Sequence, residues 1–227
     1  MFASKVSRHV RFCTSPCHRR FLALVCETSM VDDLHAPGSF DRQSAVVFPD
    51  VITVSEHDAL VAHVEPLLKR RRYEKGHWDS VILQYKEVEL AEEASAVKDI
   101  FERIRKELEP YKRVEASWLP CHAIDLRKDG ELNAHVDSVR FSGDLVAGLS
   151  LLSSSIMRLK PDASTISDES VKGHVDLYLP SRSLYVLLGV SRYSYTHELL
   201  PSQALFRDNA VERDRRISII FRDAKVG

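Results

Sequence analysis

The sequence predicts a mainly β fold, a β-sandwich or jelly-roll with two flanking helices, from three features of its patterning. From Trp118 onward, eight short apolar segments recur within about a hundred residues, as in sandwiches and jelly-rolls, at 118–126, 132–139, 145–152, 155–160, 174–179, 183–189, 193–199 and 216–222. Gly130, Gly143, Gly173 and Pro180 punctuate the gaps, as turn residues do between strands. Ahead of them, the apolar spacing takes the helical period on two stretches.

In chain order, the first element is a leader. Through Cys26 the chain carries Lys5, Arg8, Arg11, Arg19 and Arg20 and no acidic residue, with Ser4, Ser7, Thr14 and Ser15 among them and Phe2, Val6, Val10 and Phe12 as apolar points. An Arg-rich, Ser-containing, acid-free terminus reads as a mitochondrial transit segment over residues 1–28, and arginines interrupt every stretch that might serve as a secretory core. Residues 27–43 read as irregular. A helix follows, opened by Ser55 with Asp58 three positions on, a variant of the capping box. Leu60, Val61, Val64, Leu67 and Leu68 form its apolar stripe, Pro66 predicts a kink or an early end, and Lys69–Arg72 suit the C-terminal dipole. His77 to Glu89 reads as extended chain. A second helix over 92–109 puts Val97, Ile100, Phe101, Ile104 and Leu108 on one face. Both helices are expected to cover one sheet from outside, and residues 160–173 form a polar loop. No second domain or internal repeat is evident, so residues 29–227 read as one domain.

Composition excludes several classes. No run of about 18 apolar residues occurs, which excludes a spanning helix. With 44% hydrophobic residues and 32 basic against 33 acidic ones, wholesale disorder is excluded. Removing the leader's five cations leaves 27 basic and 33 acidic residues, a net charge of −6, which disfavours generic binding to phosphates and makes duplex DNA an improbable partner. Four cysteines do not make a disulfide scaffold for 227 residues. Cys13-x3-Cys17-His18 lacks a second ligand pair for zinc, and Cys121 reads as a small buried hydrophobe.

The chemistry-bearing pattern begins at His135-Val136-Asp137. Residues i and i+2 of a strand share a face, so a third ligand from another strand, with His197 the natural candidate, would complete the two-imidazole, one-carboxylate set of non-haem Fe(II) oxygenases. A second copy, His174-Val175-Asp176, runs into Leu177-Tyr178-Leu179-Pro180 and reads as an outer strand whose polar residues face water. Arg216-Ile-Ser-Ile-Ile-Phe-Arg222 places two arginines on one face, about 20 Å apart at Cα by strand rise. The gap between their planar forks suits a short dicarboxylate.

His-x-Asp, a distal His and Arg-x5-Arg in this order resemble the AlkB family of Fe(II)/2-oxoglutarate dioxygenases. His135-Val-Asp-Ser-Val-Arg-Phe-Ser-Gly-Asp-Leu-Val-Ala-Gly-Leu-Ser-Leu-Leu looks especially like the family's mitochondrial branch, as do Ser183-Leu-Tyr-Val-Leu-Leu-Gly, Arg192-Tyr193, His197-Glu198 and Arg215-Arg-Ile-Ser. The resemblance covers residues 118–222 strongly and reaches back more loosely through the helices. It implies a double-stranded β-helix (jelly-roll) core, with Fe(II) held by His135, Asp137 and His197 and with 2-oxoglutarate and dioxygen as co-substrates. Arg222 would stand near the iron-chelating carboxylate, and Arg216 would hold the far carboxylate with the hydroxyl of Tyr185. It also implies the mitochondrial matrix, a protein substrate, and a role in mitochondrial metabolism and programmed necrosis. An RNA demethylase acting on methylated bases in mitochondrial transcripts, and a non-catalytic cupin-like metal binder or zinc hydrolase, are the competing readings. The arginine pair argues against the last two.

The sequence departs from the wider family at Ile124 and Leu126, where founding-type members carry polar 2-oxoglutarate ligands, and no basic, aromatic nucleotide lid is evident. Ile124 and Leu126 would face the iron pocket, so oxidation of one of them by the enzyme itself is expected when substrate is absent.

Overall fold

A computed structural model of the protein describes residues 27–38, 40–76, 81–91, 97–140, 142–166 and 172–226. Most of the expected transit segment lies outside the described residues, as do Trp78, Cys13, Cys17 and Cys26. The elements are β1 (Val31–Asp32), β2 (Ala45–Phe48), α1 (Val54–Lys69), β3 (Ile82–Glu89), α2 (Lys98–Leu108), β4 (His122–His135), β5 (Ser142–Leu152), β6 (Ser155–Pro161) and β7 (Val175–Leu179). They continue with β8 (Leu184–Leu187), α3 (Gly189–Tyr193), β9 (Tyr195–Leu199), β10 (Ala204–Phe206), β11 (Asn209–Val211) and β12 (Arg216–Ala224).

Among the described residues, ten strands form one antiparallel sheet in the order β1-β7-β6-β9-β4-β12-β5-β8-β2, with β3 paired to β4. The sheet curls until its far ends meet: Ala45 and Val47 of β2 share an inner core with Val175, Leu177 and Leu179 of β7. This is the double-stranded β-helix arrangement, with β10 and β11 forming a separate hairpin.

Strict alternation divides the strands between two cores. Ile217, Ile219 and Phe221 of β12, Leu145, Ala147, Leu149 and Leu151 of β5, and Leu184 and Val186 of β8 face outward against Leu60, Val64 and Leu68 of α1 and Ile100, Phe101, Ile104 and Leu108 of α2. The two helices therefore cover the sheet from outside, as their stripes predict. Each fully buried side chain of this size contributes about 1.5–3 kcal/mol. The residues between them on β12, namely Arg216, Ser218, Ile220 and Arg222, turn into the barrel. Outside, fully buried Asp125 accepts two hydrogen bonds from Arg215 (2.8 and 2.9 Å), whose third nitrogen reaches Glu65 of α1 at 2.5 Å. Together these contacts tie helix to sheet.

Several local expectations are corrected. The cap of α1 is Thr53, not Ser55: its hydroxyl accepts from Glu56 N at 3.2 Å and Glu56 accepts from Thr53 N at 2.8 Å. Glu56 has the reach for a reciprocal box, and Arg103 of α2 fixes it at 2.7 Å. Pro66 neither ends nor shortens α1, because the carbonyl it frees belongs to Ala62 on the exposed side, where water replaces the lost partner. Segments 118–126 and 132–139 are one strand, β4, running through Gly130. This glycine marks a close approach rather than a turn, since a Cβ there would lie 2.7 Å from Leu126 Cδ1 and 2.9 Å from Gln84 O. α2 is described from Lys98, residues 92–96 lying outside the described set. The irregular stretch 27–43 contains β1, and 193–199 is divided between α3 and β9. Asp176 does not face water. It is 5% exposed and gripped by Arg158 through two bonds of 2.7 Å.

Candidate metal and co-substrate site

His135 is the last residue of β4 and pairs directly across the ladder with His197 of β9, which brings the ring centroids to 4.1 Å. Asp137 lies two residues beyond the end of β4, so the shared-strand-face expectation is corrected: its side chain converges by the course of the loop, not by strand periodicity. The ligand atoms of His135, Asp137 and His197 nevertheless all lie within 4.8 Å of one another. His135 Nδ1 is 2.8 Å from the Asn133 carbonyl oxygen. Donation there leaves Nε2 as the nitrogen able to ligate a metal.

The electrostatics suit a cation. Burial drives the His197 pKa down to about 3, His135 adds to the effect, and Asp137 only partly opposes it, so the imidazole is neutral and able to ligate. Burial alone would raise the Asp137 pKa, but Arg222, followed by the two histidines, outweighs it and holds the carboxyl below its ordinary range. Arg222 Nη2 donates to Asp137 Oδ1 at 3.3 Å, a single long bond that leaves carboxylate lone pairs for a metal.

The two arginines predicted to share a face do so: Arg216 and Arg222 line the same narrow cavity as the triad and Tyr185. Arg216 is 4% exposed and donates to Ser150 Oγ at 2.9 Å. Its Nε, like that of Arg222, is buried with no partner among the described residues. Burial lowers the Arg216 pKa to about 10, with Tyr185 opposing and Arg213 adding. These are donors waiting for an acceptor, and a carboxylate is the acceptor a planar fork matches. Tyr185 is raised to about 12 by burial and then by Asp137, so its hydroxyl keeps its proton. Ile124 and Leu126 also line the cavity.

Sequence reasoning missed two supporting residues. Ser150 orients Arg216, and its signal was a hydroxyl in an otherwise apolar strand. Gly148 pairs across the ladder with Tyr185, and a Cβ there would lie 2.3 Å from the ring; a mid-strand glycine marks such close approaches. His174 and Asp176 stand apart from the triad, lining a surface cleft with Arg158 and His35. An outer cleft of about 400 Å³, lined by Leu119, Pro120, His122, Ser138 and Ser142, shares Asp137 and Arg222 with the inner cavity. At its edge the His122 ring lies 2.8 Å from Glu87 and 3.7 Å from Glu89.

Known proteins resemble this chain at two levels. "Alpha-ketoglutarate-dependent dioxygenase alkB homolog 7, mitochondrial" of Mus musculus is 37% identical over 187 residues, covering 82% of this chain and 81% of the relative. The protein of the same name from Bos taurus is 36% identical over 188 residues, with the same coverage. No family model matches. Among solved structures, a Trichoplax adhaerens prolyl hydroxylase in complex with a hypoxia inducible factor peptide fragment has a TM-score of 0.57 at 10% identity, covering 81% of this chain and 84% of that one. A Pseudomonas putida prolyl-4-hydroxylase scores 0.55 at 13% identity, covering 81% and 94%. OsALKBH1 scores 0.52 at 17% identity, covering 81% and 100%. At such identities these structures share the fold.

Proposed function

We infer the chemistry of this pocket from one premise: the chain belongs to the alkB homolog 7 family of α-ketoglutarate-dependent dioxygenases. It is an enzyme using Fe(II), dioxygen and α-ketoglutarate, also called 2-oxoglutarate. In our reading His135 and His197 hold the iron through imidazole nitrogens and Asp137 through a carboxylate oxygen. The observation that carries this is the convergence of the three ligand atoms within 4.8 Å, a donor set that fits Fe(II) and leaves positions open. When bound, the iron supplies the centre for dioxygen reduction, with 2-oxoglutarate decarboxylated to succinate and one oxygen atom going to the substrate.

The chain's own residues orient the co-substrate. Arg216, braced by Ser150, would grip the far carboxylate, its buried Nε having no partner among the described residues, and the Tyr185 hydroxyl would donate a further bond. Arg222, bonded to Asp137, would stand near the iron-chelating carboxylate. Ile124, Leu126 and Ile220 keep water from the space between. Fixing both ends of a short dicarboxylate sets the orientation on which turnover depends.

The substrate we propose is a protein side chain, hydroxylated in the outer cleft. Among its described residues that cleft presents no Phe, Tyr or Trp for base stacking, its arginine is engaged with Asp137, and Glu87 and Glu89 stand at its edge. A nucleic acid would need cations and stacking platforms instead. Iron-loaded protein is to be given labelled 2-oxoglutarate with mitochondrial protein or RNA fractions while succinate release is measured. Stimulation by the protein fraction, resistant to ribonuclease, is the expected result; stimulation by RNA alone would replace this reading with the demethylase.

Both relatives carry "mitochondrial" in their names. We assign residues 1–28 as the transit segment and the matrix as destination, where a role in mitochondrial metabolism and programmed necrosis would follow. Residues 1–30 fused to a reporter are expected to deliver it to the matrix; a cytosolic reporter refutes the assignment.

A further inference from the structure

Asp137 poses a structural problem. It lies beyond the last residue of β4, so no ladder hydrogen bond fixes the backbone that carries this ligand. The segment is held from the side by Arg192 of α3, at 2% exposure the largest of the fully buried side chains. Arg192 Nη1 donates to the Asp137 carbonyl at 2.8 Å, and Nη2 donates to the Ser138 carbonyl at 3.3 Å and Ser142 Oγ at 2.7 Å. Ser142 Oγ in turn donates to the Ser138 carbonyl at 3.0 Å, closing the loop on itself. The guanidinium carbon lies 5.0 Å from the Tyr193 ring centroid, and the Tyr193 hydroxyl bonds Asp144, which is ion-paired with Arg113.

A buried guanidinium is costly to desolvate, and this one has no carboxylate grip to offset the cost. Its two Nη groups donate to neutral backbone and hydroxyl oxygens instead, and its buried Nε has no partner among the described residues. That arrangement suits a brace better than a stabilising ion pair. The platform is firm: Leu188 N, at the start of α3, bonds Ser44 O at 2.7 Å, and Ser191 Oγ meets Ser44 Oγ at 2.6 Å. α3 also leads directly into β9, which carries His197. One side chain thus links the segment bearing the carboxylate to the segment bearing the second imidazole.

We propose that Arg192 is a positioning residue for the metal site, setting the place of Asp137 relative to His197 through the Asp137 and Ser138 carbonyls. The proposal rests on the assignment of the triad to Fe(II). The two Nη groups of the guanidinium serve three acceptors at once; a lysine ammonium is a point donor and cannot reproduce that fork. Loss of such outer-shell support typically lowers metal affinity about 10- to 100-fold.

The test is anaerobic Fe(II) titration of the folded full chain, with thermal unfolding measured in parallel. Arg192→Lys, which keeps the charge and is the variant expected to fold, should bind Fe(II) more weakly by at least about 10-fold. Arg192→Met should bind more weakly still, and saturating iron should restore much of the turnover of Arg192→Lys. Thr53→Ala removes the cap of α1, on the outer side of the sheet and away from the brace, and serves as the control: it should lower the unfolding temperature without changing Fe(II) affinity. Wild-type Fe(II) affinity in folded Arg192→Lys overturns the proposal, and so does an equal loss of affinity in Thr53→Ala. A wild-type protein that binds no Fe(II) overturns the triad assignment as well, which separates the two failures.

Discussion

The tripeptide His-Val-Asp stands at residues 135–137 and again at 174–176, in surroundings that send identical side chains to different ends. In the first copy the neighbouring strand offers an imidazole: His135 pairs with His197 across the β4–β9 ladder. In the second, the neighbour is β6, and Asp176 pairs with Arg158. Arg158 takes both carboxylate oxygens at 2.7 Å, while Arg222 takes one oxygen of Asp137 at 3.3 Å. His174 meets the ring of His35, 5.2 Å away, and its Nε2 lies 3.9 Å from the Asp176 oxygen that Arg158 already holds, with Arg158 as its strongest charged neighbour. Chemistry here follows from what the adjacent strand places opposite each residue: a carboxylate held on both oxygens by a guanidinium is already charge-paired and fixed in place, whereas one held by a single long bond keeps more of its charge and lone pairs for a metal.

The largest expected effect separates the copies outright. Asp137→Ala is expected to abolish Fe(II) binding and 2-oxoglutarate turnover. Asp176→Ala should retain both per folded molecule but lose about 1–3 kcal/mol of stability, because it leaves the Arg158 donors unsatisfied, and His174→Ala should retain both. Metal titration together with urea unfolding reads all three, and the reverse pattern would mean that the 174–176 copy is the metal site.

Arg216→Lys sharpens the contrast by testing whether a guanidinium fork serves a ligand as Arg158 serves Asp176. Affinity for 2-oxoglutarate should fall by about 1–3 kcal/mol, roughly 5- to 150-fold, with Fe(II) binding intact. An unchanged dissociation constant would place the far carboxylate elsewhere. Gly148→Ala is expected to have a smaller effect. Its methyl would displace the Tyr185 ring, so the Michaelis constant for 2-oxoglutarate should rise several-fold, about the loss of one hydrogen bond; an unaltered constant removes Tyr185 from the co-substrate site. The smallest signal is chemical. Ile124 and Leu126 line the cavity of the first copy, so substrate-free incubation with Fe(II), 2-oxoglutarate and dioxygen should add one oxygen to a peptide spanning residues 118–127. The gain should persist in Asp176→Ala and vanish in Asp137→Ala. Mass spectrometry of wild type showing an unmodified peptide after long turnover ends the idea.

The strands and both helix stripes were legible because burial imposes a period, and β12 shows why: Arg216, Ser218, Ile220 and Arg222 turn inward while Ile217, Ile219 and Phe221 turn out, as a repeat of two requires. Where two local rules competed, the text alone misled. Thr53 and Ser55 both offer a cap, and contact with Arg103 favours the box that uses Glu56. Gly130 reads equally as a turn or a close approach, and only the position of β3 decides.

For the site, the residue order His135, Asp137, His197, Arg216, Arg222 by itself determined the chemistry available: two imidazoles, a carboxylate and a pair of forks suited to a dicarboxylate. The order also set the 174–176 copy apart as an outer strand, but which partner faces each tripeptide, and the contacts that Ser150, Gly148 and Arg192 bring to the candidate site, were decided by tertiary structure alone. Ser150 lies 66 residues from the Arg216 it orients, and Arg192 lies 55 from the Asp137 it braces. Periodicity reports which face a side chain takes within its own strand, but the partner it meets depends on ladder register between segments far apart in the chain.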